Sequence, residues 1–169
     1  GLEIRLSGQS ILAHARPEAL DKGKDPFAFQ GLWPTGEHSM EYTIPNLKID
    51  HAMRNTHVPP GFWRGVNVNQ NAVYMESFMD ELAEAAGQDP LAFRLKLLKP
   101  KYAAVLKAAC DKAGYGKPLP KGHFHGLGSM HTFGSYVAAC AEVSVSDQGD
   151  LRVHRIVAAT YCGHAANPQ

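Results

Sequence analysis

Six prolines fall within residues 17–60. They bar a long helix or an interior strand from that stretch, because proline lacks an N–H and its ring collides with the preceding helical turn. Only short pieces remain. Leu2-Glu3-Ile4-Arg5-Leu6 alternates apolar and polar side chains and reads as a short strand. Asp21-Lys22-Gly23-Lys24-Asp25-Pro26 is a polar loop by its turn chemistry. Residues 42–44 and 47–49 read as two short strands around Pro45-Asn46. A region this long with so few regular elements rarely folds alone. Residues 1–60 are therefore expected to pack on the rest of the chain or on structure outside it. Trp33, Phe27 and Phe29 lie there without periodic partners, which predicts open apolar surface and self-association.

The middle of the chain, residues 61–114, is helical. Met75, Phe78, Met79 and Leu82 recur at i, i+3, i+4 and i+7, the spacing of one helix face, and are expected in the core. Glu76, Asp80 and Glu84 recur every four residues on another face; Asp80, Glu81 and Glu84 could be read as catalytic carboxylates, but on a helix surface they are expected to form a solvated face. Gly87 suits a left-handed helix end. Asp89-Pro90 then restarts a helix, with Asp89 as N-cap and proline at the first position. Leu91, Leu95 and Leu98 form its apolar stripe, and Lys99-Pro100 stops it. Tyr102, Val105, Leu106, Ala109 and Ala113 make a third amphipathic helix ended by Gly114.

Residues 115–169 read as a glycine-rich loop followed by a β-hairpin. Val137, Ala139, Ala141, Val143 and Val145 share one face of a strand. Ser146-Asp147-Gln148-Gly149-Asp150 turns the chain, and residues 151–160 return. The fold class is α+β, a helical middle flanked by β segments, forming one compact unit.

The net charge of +1 gives no footprint for nucleic acid or an anionic membrane. No apolar run approaches the length that spans a bilayer, and residues 1–6 do not resemble a signal peptide. Cys110, Cys140 and Cys162 contain no C-x-x-C pair, so a zinc knuckle or dithiol motif is not expected, and three small buried side chains are.

Gly61-Phe62-Trp63-Arg64-Gly65 precedes the first long helix. Flanking glycines let the backbone approach a ligand, and N–H groups ahead of a helix suit anionic groups. A plain helix entry with two core aromatics explains the same residues. Gly126-Leu127-Gly128 lacks the third glycine and the following helix of a phosphate loop. His123 and His125 would face one side of a strand, and with His131 they offer imidazoles for a transition metal. No acidic or cysteine ligand lies close in sequence, and no metal site is assigned. Neither a G-x-S-x-G elbow nor a cysteine beside an obvious base is present, so covalent catalysis has no support.

Two stretches together resemble the molybdenum hydroxylases, the superfamily of xanthine dehydrogenase and aldehyde oxidase. The first is Gly61-Phe62-Trp63-Arg64-Gly65-Val66-Asn67, Asn71-Ala72-Val73, Glu76-Ser77-Phe78-Met79-Asp80-Glu81-Leu82-Ala83, Gly87-Gln88-Asp89-Pro90 and Arg94. The second is Phe133-Gly134-Ser135-Tyr136-Val137-Ala138, Ala141-Glu142-Val143-Ser144-Val145, Val153-His154-Arg155-Ile156-Val157, and Cys162-Gly163 with Asn167-Pro168. The Phe-Trp-Arg form, the helix and Gly8-Gln9-Ser10-Ile11 look most like the lineage of the isoquinoline 1-oxidoreductase beta chain.

The resemblance implies an internal piece of a larger subunit that holds molybdopterin, as a cytosine dinucleotide in bacterial members. It implies hydroxylation of an N-heterocycle or aldehyde with water as oxygen source, and electron transfer to an iron–sulfur partner subunit. Phe62, Trp63, Arg64 and Gly65 would line the molybdenum end of the cofactor, and Gly163, Asn167 and Pro168 would shape a turn close to it. Three departures stand out. Tyr161 replaces the aspartate usual before Cys-Gly. The glycine-glutamine motifs that grip the pterin, and the Gly-Glu segment with the catalytic base, are not found in this chain. No catalytic residue is therefore assigned, and the chain alone is expected to carry no cofactor and no activity. The other reading is a non-catalytic interaction or binding module. The compartment, cytoplasm or periplasm, is left open, and the chain is not expected to be an integral membrane protein.

Overall fold

The computed structural model describes residues 1–36 and 39–167. In the first third, β1 (Leu2–Gly8) lies parallel to β2 (Leu47–Met53), with Leu2 opposite Leu47 and Gly8 opposite Met53. The alternation read in residues 2–6 sets the faces. Leu2, Ile4, Leu6, Leu47 and Ile49 pack against the core. Glu3, Arg5, Lys48 and Asp50 form exposed ion pairs on the other side. The second expected strand extends to Met53, whereas residues 42–44 form only an isolated bridge from Tyr42 to Leu98. A hairpin cannot form around Pro45, and the two strands are parallel because the whole proline-broken segment lies between them.

That segment is organised by polar side chains. Ser10 caps the short helix α1 (Ile11–Ala15), its Oγ accepting from Ala13 N at 2.9 Å. The same hydroxyl donates to Asp25 Oδ2 at 2.6 Å, and Asp25 also accepts from Leu12 N at 3.2 Å and Phe27 N at 2.8 Å. Asp25 is 1% exposed, so this loop is a buried junction with its polar groups satisfied, as burial of a carboxylate demands.

The three central helices are α2 (Val68–Ala85), α3 (Pro90–Leu97) and α4 (Pro100–Ala113). Their ends follow the sequence signals. Gly87 has φ +61° after α2, the Asp89 side chain accepts from Ala92 N at 2.8 Å, and Gly114 caps α4 at φ +82°. Met75 and Met79 are buried and Leu82 packs on the core, but Phe78 is 39% exposed. Phe78 sits at the margin of the stripe, beside a gap between α2 and β1.

The glycine-rich segment expected as a loop forms a strand, β3 (His123–Thr132), which joins β4 (Ser135–Val145) and β5 (Leu151–Tyr161) in an antiparallel sheet ordered β3-β4-β5. The hairpin β4-β5 is thus two-thirds of a three-stranded meander. Gly126 and Gly128 are extended residues in mid-strand, opposite Ala141 and Ala139, which hid the alternation by removing side chains from one face. The valines of β4 share a face, but the opposite face of that strand enters the core. Ala138 and Cys140, each 1% exposed, pack with Leu106, Ala109 and Cys110 of α4. Cys162, expected to be buried, is exposed after β5.

Candidate functional site

The turn over residues 61–66 is held open by backbone geometry. Gly65 has φ +90°, and Val66 follows at φ +48°, a left-handed conformation that a β-branched residue rarely adopts. A Cβ on Gly65 would lie 2.2 Å from Asn69 Oδ1. Asn69 fixes the turn from α2, its Nδ2 donating to Arg64 O at 2.8 Å, while Asn67 N donates to Gln30 Oε1 at 3.4 Å. The turn thus rests on both α2 and the segment at residue 30.

The side chains of the turn face outward. Trp63 is 83% exposed and Phe62 49%, so neither is a core aromatic. Phe62 meets Phe27 edge-on at 6.4 Å, with the Arg16 guanidinium 5.5 Å from its ring. Arg64 takes part in none of the ion pairs among the described residues. An uncovered cation, an uncovered indole, a half-exposed phenylalanine and a glycine-opened backbone could receive an anionic group. Gly163, at φ +80°, and Asn167 lie exposed after β5. Pro168 lies outside the described residues. Among the described residues, none of five surface cavities is lined by Phe62, Trp63, Arg64, Gly65, Gly163 or Asn167; the largest of the five, about 500 Å³, follows β1 and the start of α2.

Behind the turn, α2 carries a buried ionic network. The acidic residues of α2 divide by position: Glu81 and Glu84 are exposed and Asp80 half-exposed, as expected of a solvated face, while Glu76 is not. Glu76 is 8% exposed, and Arg94, wholly buried, gives it Nε at 3.3 Å. Arg94 also donates Nη1 to Asp80 Oδ1 at 2.7 Å and Nη2 to the Glu76 carbonyl at 2.9 Å. Glu76 further accepts from Tyr42 OH at 2.6 Å and from Ser129 N at 3.3 Å. This network ties α2, α3, β3 and the irregular segment into one body. Burial pushes the Glu76 carboxyl up, against the opposing pull of Tyr42 and Arg94. The sequence held a sign of it. Arg94 stands three residues after Leu91 and four before Leu98, on the apolar stripe of α3, where a charge needs a partner.

His123, His125 and His131 share the inner face of β3, as their spacing implied, yet each serves a different contact. His123 Nδ1 lies 2.8 Å from Glu142 Oε1 and its ring stacks on His154 at 4.2 Å. His125 stacks on Tyr115 and His131 on Tyr136. Among the described residues no group of three His, Cys, Asp or Glu side chains is placed to hold a metal ion. Among the same residues no helix is long and apolar enough to cross a membrane.

The turn, α2, α3 and the network residues Tyr42, Glu76, Asp80 and Arg94 lie within residues 30–98, which match the sequence model of the molybdopterin cofactor-binding domain. Over those residues the chain is similar to this molybdopterin-binding domain, the class its turn and helix motifs resemble. Its relatives include the beta chain of isoquinoline 1-oxidoreductase from Brevundimonas diminuta, 28% identical over 144 residues, covering 82% of this chain and 18% of that protein. The B chain of nicotinate dehydrogenase from Pseudomonas putida is 32% identical over 131 residues, covering 66% of this chain and 11% of that protein. The chain therefore spans less than a fifth of the length of these curated relatives. Among solved structures, the aldehyde oxidoreductase of Desulfovibrio gigas matches 68% of this chain and 15% of its own, at 24% identity and a TM-score of 0.36.

Proposed function

We propose that this chain is part of the cofactor-holding scaffold of a molybdenum hydroxylase large subunit. In that setting the turn at 61–65 presents Phe62, Trp63, Arg64 and Gly65 to molybdopterin, with Gly163, Asn167 and Pro168 near the same group. The observation that carries the reading is the turn itself. It lies inside the matched residues 30–98, is fixed in a costly backbone conformation, and leaves an arginine outside the ion pairs and an 83% exposed tryptophan uncovered. Structures keep such strain where the surroundings impose it, and functional sites are where it collects.

When bound, the cofactor would supply the redox chemistry of hydroxylation, with water as oxygen source and electrons passed to an iron–sulfur subunit. This chain's residues would bind and orient it: Arg64 through charge, the aromatic rings through their faces, and the turn through its backbone amides. The cytosine dinucleotide form and an N-heterocycle or aldehyde substrate belong to the same proposal. Isoquinoline and nicotinate, in the names of the two curated relatives, are both nitrogen heteroaromatics and favour the heterocycle.

Residues 62–65 and 163–167 share none of the five cavities described above, and a large organic cofactor needs convergent groups from several segments. The chain purified alone from cells that make the cofactor should hold no stoichiometric molybdenum, and a full-length large subunit containing it should. In the latter, Arg64→Ala and Trp63→Ala should lower the molybdenum and pterin content together. Full retention in both variants would overturn the role given to the turn.

A further inference from the structure

Glu41 is the buried acid with the least support. It is 5% exposed, its Oε2 accepts from Ser129 Oγ, and its Oε1 meets no donor. It lines a small, partly open space of about 20 Å³ with Tyr42, Met75, Glu76 and Ser129. The charged and titratable groups around it, among the described residues, are already engaged. From α2 come Glu76 and Asp80, and from α3 comes Arg94, which is committed to those two. Lys99, between α3 and α4, gives its Nζ to Met40 O at 2.8 Å and Pro34 O at 3.4 Å. From β3 come Ser129 and His131, the latter lining the same space. From α4, Tyr102 OH lies 3.3 Å from Ser39 Oγ, and Tyr42 in Glu41's own segment gives its hydroxyl to Glu76.

Ser129 therefore touches both buried carboxyl groups, through Oγ to Glu41 and through N to Glu76. Two buried carboxyl groups that share Ser129, with the one arginine committed to Glu76 and Asp80, cannot both ionise cheaply. Glu76 has the arginine, the tyrosine and an amide, whereas Glu41 has one hydroxyl.

We propose that Glu41 is a proton-operated latch: it is carried as the neutral acid while residues 39–43 are seated against α2, β3 and the end of α3, and loss of the proton releases that segment. Burial and the neighbouring Glu76 carboxylate hold the Glu41 carboxyl well above the usual carboxylate range, in agreement with the geometry. The seated segment is fastened by Met40 N to Trp33 O at 2.6 Å, Thr43 N to Leu97 O at 2.7 Å and Lys99 N to Glu41 O at 3.2 Å. Upstream, Gln30 O accepts from Asn71 Nδ2 at 2.9 Å and Gln30 Oε1 from Asn67 N. Release of 39–43 thus frees the downstream side of the segment that seats the turn at 61–65.

The test uses the whole chain. Infrared difference spectra of wild type against Glu41→Gln at neutral pH should show the carbonyl band of one protonated carboxylic acid, missing in the variant. Hydrogen-exchange protection of the Met40 and Thr43 amides, corrected for intrinsic exchange, should fall with rising pH by up to about tenfold per unit, the slope of one released proton. Glu41→Gln should flatten that fall, and Tyr102→Phe should leave it in place. Absence of the acid band in wild type overturns the latch even if the variant fails to fold. An unchanged pH slope in Glu41→Gln, or its loss in Tyr102→Phe, also overturns it.

Discussion

Replacing Arg94 with methionine removes the one wholly buried arginine among the described residues while keeping much of the side-chain volume. In the wild type, Arg94 donates to Glu76 Oε2, the Glu76 carbonyl, Asp80 and the Pro90 carbonyl. Without it, Glu76 keeps Tyr42 and Ser129 as partners but loses its counter-charge at 8% exposure. Breaking a buried pair from one side costs about 3–5 kcal/mol, because the other charge is left uncompensated. With a denaturant slope of about 2 kcal/mol/M in urea, the unfolding midpoint should fall by roughly 1.5–2.5 M. Adding Glu76→Gln removes the stranded charge while the amide oxygen still accepts from Tyr42. The double variant should therefore be more stable than additivity implies, with a coupling of at least about 1 kcal/mol in a double-mutant cycle. Urea unfolding of the four proteins at neutral pH decides this. A shift below about 0.5 M for Arg94→Met, or strict additivity, would show that the network is not what joins α2 to α3.

Other expectations follow from the same geometry. Burial raises both Glu41 and Glu76, so the folded state holds more protons than the unfolded one. Their contribution to stability is complete below the ordinary carboxylate value of 4.5 and is lost as pH rises through the raised values. The urea midpoint should decline from acid toward neutral pH, and Glu41→Gln with Glu76→Gln should flatten the decline. Met79→Ala, at a 1% exposed site, should cost about 2–5 kcal/mol, and Phe78→Ala, at a 39% exposed site, clearly less than the roughly 3–5 kcal/mol typical of buried phenylalanine; equal losses by chemical denaturation would refute the burial difference. Gly65→Ala should cost about 1–3 kcal/mol through its positive φ, and adding Asn69→Ala should recover only the part due to the clash at 2.2 Å, as thermal unfolding would register.

What could be read from the sequence depended on how local the governing physics is. Helix ends are local: Asp89-Pro90, Gly87 and Gly114 do in the structure what their residue types allow. The alternation in β1 and the hairpin of β4 and β5 were legible for the same reason. Strand β3 was not, because Gly126 and Gly128 leave gaps in one face and the histidines of the other look polar in sequence but pack against aromatic rings. The pairing of β1 with β2 across residues 9–46 was also hidden, since parallel partners are set by the packing of everything between them.

The site shows the same division, with a consequence for function. The motif at 61–65 is a run of neighbours, so it could be singled out from sequence and placed before a helix. Its exposure and strain depend on Gln30 and Asn69, and the body behind it on Arg94, Glu76, Tyr42 and Ser129, which are distant in sequence. Glu81 and Glu84 are solvated and Asp80 half-exposed, but Glu76, in the same four-residue series, turns inward, because helical periodicity tells which residues share a side, not what that side meets. Arg94 on the apolar stripe of α3 was the one local clue that an acidic face must turn inward. The arrangement that results is a rigid, charge-locked body with an uncovered turn on its surface. Under the role proposed for the turn, such a body gives the loop little freedom to adjust, which is what positioning a reactive group requires.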